Sequence, residues 1–367
     1  MTVKYKLGQI GKISLKNRIQ DTHVLESERL ITPQKVKMKF PGTRKTFETV
    51  LTGRQELEKI LNFQDTRIFI IVGPCSIHDP KSAWEYANRL KRLASLVKST
   101  MLIIMRVYFE KPRTTTGWKG FINDPDLNGS FNIEKGILFA RNLLVKIADL
   151  GLPTATEALD PIIPQYLADL ITWSAIGART TESQTHRELA SGLSMPVGFK
   201  NSTDGSVQTA LNAVKAARVP HHFLGINQNG QTAIFRTTGN PYAHIVLRGG
   251  ENQPNYDSKS IEHCENLLEK NNLPKAIVVD CSHANSNKNY NLQPKIFKEL
   301  INQIKLGNRS IVGAMLESHL NDGNQHFPQK ISELKYGVSI TDACIGWDKT
   351  EEIILSVHQS LKKIRKL

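Results

Sequence analysis

Cysteine is scarce in this sequence. Only Cys75, Cys264, Cys281 and Cys344 occur in 367 residues, too few and too widely spaced for a disulfide framework, so a reducing, cytoplasmic setting is expected. No run approaches the roughly 18 apolar residues of a membrane span, and the N-terminus lacks the apolar core of a signal peptide; no membrane partner is expected. Internal repeats, low-complexity tracts and linkers rich in Pro, Gly or Ser are all missing. Neither CxxC nor HExxH is present to announce a metal centre. Acids are also in deficit: 34 Asp and Glu stand against 48 Lys and Arg, a formal charge of +14. Such an excess points to anionic partners. The basic residues are neither gathered into tails nor interleaved with aromatics, however, so a nucleic-acid partner is not expected. The first 20 residues hold several lysines and no acid, as some organelle transit peptides do; a basic arm is the plainer account.

What the chain does contain is a succession of short apolar runs, each followed by a helical-looking segment. They are Ile68–Val72, Leu102–Val107, Pro153–Glu157, Thr172–Ala178, Pro196–Lys200, His222–Ile226, Ala276–Asp280 and Ile311–Leu316. Their apolar character is continuous rather than alternating, which fits parallel strands buried on both faces. Eight strand–helix units in about 300 residues is the arithmetic of a (β/α)8 TIM barrel. An open doubly wound sheet is the runner-up, but no glycine-rich dinucleotide turn follows the first run. Residues 1–60 form an N-terminal extension and 61–367 the barrel. Gln231–Arg236 and His244–Arg248, flanking Gly239-Asn240-Pro241, predict a β-hairpin inserted after strand 6, at about 228–250, closing over the barrel mouth.

Active sites of such barrels lie at the C-terminal ends of the strands. There the sequence places Cys75, Arg106, Glu157, Arg179, Lys200, His283 and Glu317, with Arg248 on the hairpin. One arginine at a strand end is more often a surface ion-pair partner than a ligand. Five basic groups converging on one face repel one another and call for a polyanion between them. Cys75, His283 and Glu317, with Asp342 further on, are a candidate divalent-metal set whose softness suits Mn2+, Fe2+, Co2+ or Zn2+ better than Mg2+ or Ca2+. Taken singly, Cys75 also suits a small buried residue and His283 a satisfied core histidine, so position alone leaves the metal open.

Several segments resemble the type I 3-deoxy-D-arabino-heptulosonate 7-phosphate (DAHP) synthases. They are Gly73–Asp79, Met105–Thr114, Gly117–Gly120, Ser174–Gln184, Gly198–Asn201, Leu247–Gly250, Asp280–Asn285, Glu317-Ser318 and Ser339–Cys344. The likeness runs from about Leu30 to Trp347 with the motifs in order, and no position the chemistry needs departs from it. The resemblance implies the metal-dependent condensation of phosphoenolpyruvate with erythrose 4-phosphate, on the way to the aromatic amino acids. It implies one divalent ion per subunit, held by Cys75, His283, Glu317 and Asp342. Arg179, beside Ala178, and Arg248 would grip the phosphate of phosphoenolpyruvate. Arg106 and Lys200 would hold its carboxylate. Lys111, Pro112, Arg113 and Thr114 would receive erythrose 4-phosphate, Glu157 would position water, and Lys111 is the candidate general acid. His283 and Asp342 belong to both the metal set and the catalytic set.

The same likeness implies feedback by an aromatic amino acid near the N-terminal extension, with Ser194 and Gly225 as effector contacts. Phe223–Gln228 looks more like the tyrosine-sensitive isoforms, since phenylalanine-sensitive relatives tend to have Ser in place of Gly225. A homodimer or homotetramer is expected, with the extension in the subunit contact. A disulfide between Cys75 and Cys344 after metal loss stays open. So does a related synthase that uses arabinose 5-phosphate, although the Lys111–Thr114 segment and the long extension argue against it.

Overall fold

The structure, a computed structural model, describes residues 19–251 and 253–364. The lysine-rich first 18 residues, the core of the expected basic arm, lie outside the described residues. Met1–Ile31 and Thr32–Leu367 form separate compact units. In the described part of the first, the Val24 N–H closes a turn onto the Asp21 carbonyl at 3.0 Å.

The second unit opens with two helices, α1 (Pro33–Lys39) and α2 (Arg44–Leu61). Helix α2 starts at a capping box in which Thr43 and Thr46 exchange side-chain and backbone bonds, satisfying N–H groups that a helix start leaves orphaned. The strands of the barrel follow: β1 (Ile68–Gly73), β2 (Met101–Arg106), β3 (Thr154–Glu157), β4 (Trp173–Ile176) and β5 (Val197–Lys200). Between them run α3 (Pro80–Val97), α4 (Ile133–Asp149), the short α5 (Pro164–Leu167) and α6 (Gln184–Gly192). Helix α7 (Val207–Ala217) then leads to a two-stranded antiparallel hairpin, β6 (His222–Ile226) and β7 (Thr232–Arg236). The chain re-enters the barrel at β8 (His244–Leu247) and completes it with α8 (Ser258–Lys270), β9 (Ile277–Asp280), α9 (Gln293–Lys305), β10 (Ile311–Glu317) and α10 (Trp347–Ile364). The barrel closes as β1-β2-β3-β4-β5-β8-β9-β10, all parallel.

The eight-stranded barrel is as expected, with one strand misassigned. His222–Ile226 is not its sixth strand but the first arm of the hairpin. His244–Leu247, expected in the hairpin, is the sixth barrel strand. The insertion therefore precedes that strand instead of following it, and Arg248 sits at a barrel strand tip. Burial explains the exchange: β8 is buried throughout, whereas β6 alternates between exposed and half-buried residues, as a ribbon with one wet face must. Gly239-Asn240-Pro241 is not a hairpin turn. Asn240 ties the strand start to the helix ends, its amide donating to the carbonyls of Leu193 and Met195 at 3.2 and 2.9 Å. The hairpin bridges a helix end and a strand start, so it lies on the N-terminal face, opposite the catalytic mouth it was expected to cover.

Residues 32–60, counted with the extension, pack into the barrel unit. Leu57, Ile60 and Leu61 of α2 join Phe69, Leu102, Trp173 and Ala276 from the strand starts in one buried cluster. At roughly 2 kcal/mol per buried leucine-sized side chain, this helix is a structural floor.

Candidate active site

Strand register brings the candidate residues together. Gly73 at the end of β1 pairs with Glu317 at the end of β10, so Cys75, two residues on, falls beside Glu317. The segment carrying Asp342 lies along the extension of β10, where the Ile345 N–H donates to the Glu317 carbonyl at 3.0 Å. Ligand atoms of Cys75, Glu317 and Asp342 consequently lie within 4.8 Å of one another. His283 approaches from the tip of β9 with its Nε2 3.9 Å from Glu317 Oε1. Its Nδ1 is 2.9 Å from Asp280 Oδ2 and 2.7 Å from Ser282 Oγ. A proton on Nδ1, donated to Asp280, leaves the Nε2 lone pair facing Glu317, the orientation a metal-ligating imidazole requires. The donor set of thiol, imidazole and two carboxylates fits a borderline divalent cation.

The charges around this set are heavily paired. Arg106 is fully buried; its Nη2 donates to Glu317 Oε1 at 3.1 Å and its guanidinium lies 3.9 Å from the centre of the Tyr108 ring. Lys200 at the end of β5 bonds to Asp280 at the end of β9 at 2.8 Å, and both are buried. Burial alone would raise the Asp280 carboxyl, but His283 and Lys200 hold it well below the usual range. Lys111 donates to the Cys75 carbonyl at 3.3 Å and to its Sγ at 3.2 Å. Burial pulls this ammonium down, yet Cys75, Glu317 and Asp342 outweigh it and hold its pKa above the ordinary lysine value. Burial first, and Glu317 second, push the Cys75 thiol up to about 11, so it needs a cation to become a thiolate.

Above this floor opens a cleft of about 530 Å3. Lys111, Pro112, Arg113, Glu157, Ala178, Arg179, Lys200, Arg248, His283 and Asp342 line it, as expected from the sequence. Cys75, Arg106 and Glu317 lie buried and outside the lining. Thr114 does not line the cleft either; its hydroxyl accepts from Arg179 Nε at 3.1 Å. Among the described residues neither Arg179 nor Arg248 forms an ion pair, in contrast to Arg106 and Lys200. Glu157 is buried with its Oε1 lacking any partner among the described residues, an acceptor held ready.

Sequence reasoning gave no role to Asp280, although it pins both Lys200 and His283; its place within the Asp280–Asn285 segment was the available signal. Lys288 and Asn287 in the cleft wall were also missed, since both are polar residues in a loop that shows no pattern.

A second cavity, of about 970 Å3, lies between α2, α6 and the hairpin, and Ser194 and Gly225 both line it. The space beside Gly225 is already taken: a Cβ there would come within 2.9 Å of the Phe235 ring, which stacks on Phe223 at 5.7 Å. All four cysteines are buried free thiols, Cys75 and Cys344 included. No helix among the described residues is long and apolar enough to cross a membrane.

A model of the DAHP synthetase I family matches residues 40–355. The Tyr-sensitive phospho-2-dehydro-3-deoxyheptonate aldolase of Escherichia coli (strain K12) is 53% identical over 346 residues, spanning 94% of this chain and 97% of that protein. The Phe-sensitive enzyme of the same organism is 49% identical over 345 residues, 94% of this chain and 98% of its own. The solved structure of phospho-2-dehydro-3-deoxyheptonate aldolase from Francisella tularensis SCHU S4 matches with a TM-score of 0.90 at 48% identity, covering 92% of this chain and 98% of that one.

Proposed function

The chain belongs to the DAHP synthetase I family, and from that premise we propose how its own residues carry out the family's reaction. That reaction joins phosphoenolpyruvate, erythrose 4-phosphate and water into DAHP and phosphate, the first step of the shikimate pathway. The observation that carries the assignment of roles is the split among the cations. Arg106 and Lys200 are buried and already compensated by Glu317 and Asp280, which suits the single charge of a carboxylate. Arg179 and Arg248 have no acid of their own and line the open cleft, which suits a phosphate dianion. Arg113, with Pro112 and Thr114 beside it, takes the phosphate of the aldose from the outer side.

Cys75, His283, Glu317 and Asp342 would hold a divalent ion, which would supply Lewis acidity toward the aldehyde of erythrose 4-phosphate. The protein then aligns two anions that would otherwise repel each other, so that C3 of phosphoenolpyruvate meets the aldehyde carbon. As that C–C bond forms, Lys111 passes a proton to the former aldehyde oxygen, and positive character gathers at C2. Water held by the free Oε1 of Glu157 adds at C2 and yields its proton to that carboxylate. Cleavage of the C2–O bond releases phosphate with the bonding electrons; the new C2 hydroxyl gives its proton to the departing phosphate and becomes the carbonyl of the 2-keto acid.

Tyrosine is the effector in this reading and occupies the cavity lined by Ser194 and Gly225. Residues 1–60 contribute to a homodimer or homotetramer, and the free thiols suit the cytoplasm. Phosphate release from phosphoenolpyruvate with erythrose 4-phosphate tests the proposal, measured before and after EDTA, after Mn2+ is restored, and with tyrosine added. Loss, recovery and inhibition in that order support it. Failure of Mn2+ to restore turnover to folded protein, or equal turnover with arabinose 5-phosphate, overturns it.

A further inference from the structure

Arg248 leaves the barrel at the tip of β8, and asparagines hold its backbone on both sides. Its N–H donates to Oδ1 of Asn201 at 2.8 Å, and its carbonyl accepts from the Asn285 N–H at 3.2 Å. The N–H of Gly249 donates to Asn255 Oδ1 at 2.7 Å, and its carbonyl accepts from Asn201 Nδ2 at 2.9 Å. The asparagines also bind one another. Asn255 Nδ2 donates to Asn201 Oδ1 at 3.2 Å, and the Asn255 N–H donates to Asn285 Oδ1 at 2.8 Å. Asn285 Nδ2 in turn donates to the carbonyls of Leu247 and Asp280, at 3.2 and 2.8 Å.

The three residues come from the connections after β5, β8 and β9. Asn201 adjoins Lys200, and Asn285 lies two residues beyond His283. Asn201 and Asn285 are buried, so their bonds to the Gly249, Leu247 and Asp280 carbonyls are made away from competing water, while Asn255 is half-buried. Only a neutral primary amide offers two donors and an acceptor in one plane. A carboxylate in place of Asn201 would set an oxygen against the Gly249 carbonyl. The route of the chain is fixed as well: Gly249 has φ +77, and a Cβ on it would meet the Asn285 nitrogen at 2.6 Å. Among the described residues the Arg248 side chain, by contrast, makes only a 3.5 Å bond to the Gly249 carbonyl. A long cationic arm thus stands free on a bolted base, and how well such an arm binds depends on how firmly the base is placed.

We propose that Asn201, Asn255 and Asn285 are positioning residues, an amide clamp that aims Arg248 at the phosphate of phosphoenolpyruvate and locks it to the loops bearing Lys200 and His283. The clamp rests on the phosphate role given to Arg248 above, and the experiment separates the two. With the Mn2+-loaded enzyme, KM is measured for each substrate, together with inhibition by inorganic phosphate. Arg248→Ala raises KM for phosphoenolpyruvate; if it does not, the role of Arg248 fails and the clamp loses its purpose. Asn255→Asp raises KM for phosphoenolpyruvate and weakens phosphate inhibition about tenfold, with KM for erythrose 4-phosphate within about twofold of the parent. Added to Arg248→Ala, it causes little further loss, because both act through one contact. If Asn255→Asp does not fold, Asn255→Ser carries the same comparison. The clamp is overturned, with the role of Arg248 intact, by an unchanged KM for phosphoenolpyruvate, by equal rises for both substrates, or by losses that multiply in the double variant.

Discussion

At the C-terminal end of the barrel the strand tips carry Arg106, Glu157, Lys200, Asp280 and Glu317, each charged and each buried. At the other end Phe69, Leu102 and Trp173 pack under Leu57, Ile60 and Leu61 of α2. Desolvating the first set costs free energy that ion pairing only partly offsets; sealing the second set supplies stability outright. One closed sheet thus separates the two tasks. The floor provides the rigidity that the mouth needs to hold like charges in a substrate-ready arrangement. Substitutions should divide the same way, with kinetics changing at the mouth and stability at the floor.

The largest effect tests the mouth. Cys75→Ala should lower metal-dependent turnover on the order of a thousandfold and leave the melting transition near the parent's. Comparable activity after metal removal and reloading would remove Cys75 from the ligand set. Leu57→Ala should act in the opposite sense, costing about 3 kcal/mol in denaturant titrations with both KM values unchanged. A large change in KM would mean that the floor and the mouth are not independent.

The floor also has a pH dependence of its own. His244 Nε2 accepts from the Trp173 indole at 3.1 Å while Nδ1 faces the Tyr242 carbonyl at 2.8 Å, so the folded ring is neutral. Burial lowers its pKa to about 4, against about 6.5 in an unfolded chain. The unfolded state therefore binds the extra proton first. Stability contributed by the neutral ring is complete above about pH 6.5 and fades as pH falls toward 4, by about 3 kcal/mol. Denaturant midpoints at pH 7 and pH 4.5 should differ less in His244→Gln; an unchanged difference would assign the acid sensitivity elsewhere. The smallest effect belongs to the hairpin cavity. Gly225→Ser places a Cβ against the Phe235 ring and should weaken tyrosine inhibition about tenfold, with kcat in the absence of tyrosine unaltered. Undiminished inhibition would move the effector away from Gly225.

Seven of the eight barrel strands were legible as continuous apolar runs, because a parallel strand buried on both faces writes its environment into every residue. Most of the cleft lining followed once those strands had ends, whereas position alone left the metal open and the family resemblance singled out its candidate ligands. The exchange of His222–Ile226 with His244–Leu247 was not legible. Both are short apolar segments near Gly, Asn and Pro, and only the packing of β8 between β5 and β9 distinguishes them.

By itself, then, the sequence determined the barrel and the candidate cleft cations, which rest on residue type and local order, and through its family resemblance the candidate thiol–imidazole–carboxylate set. Only the tertiary structure decided which cations are already neutralised, that Asp280 serves Lys200 and His283 together, and which face the hairpin covers. Those properties come from contacts between residues tens of positions apart, such as the 2.8 Å bond from Lys200 to Asp280. No local pattern encodes a distance of that kind.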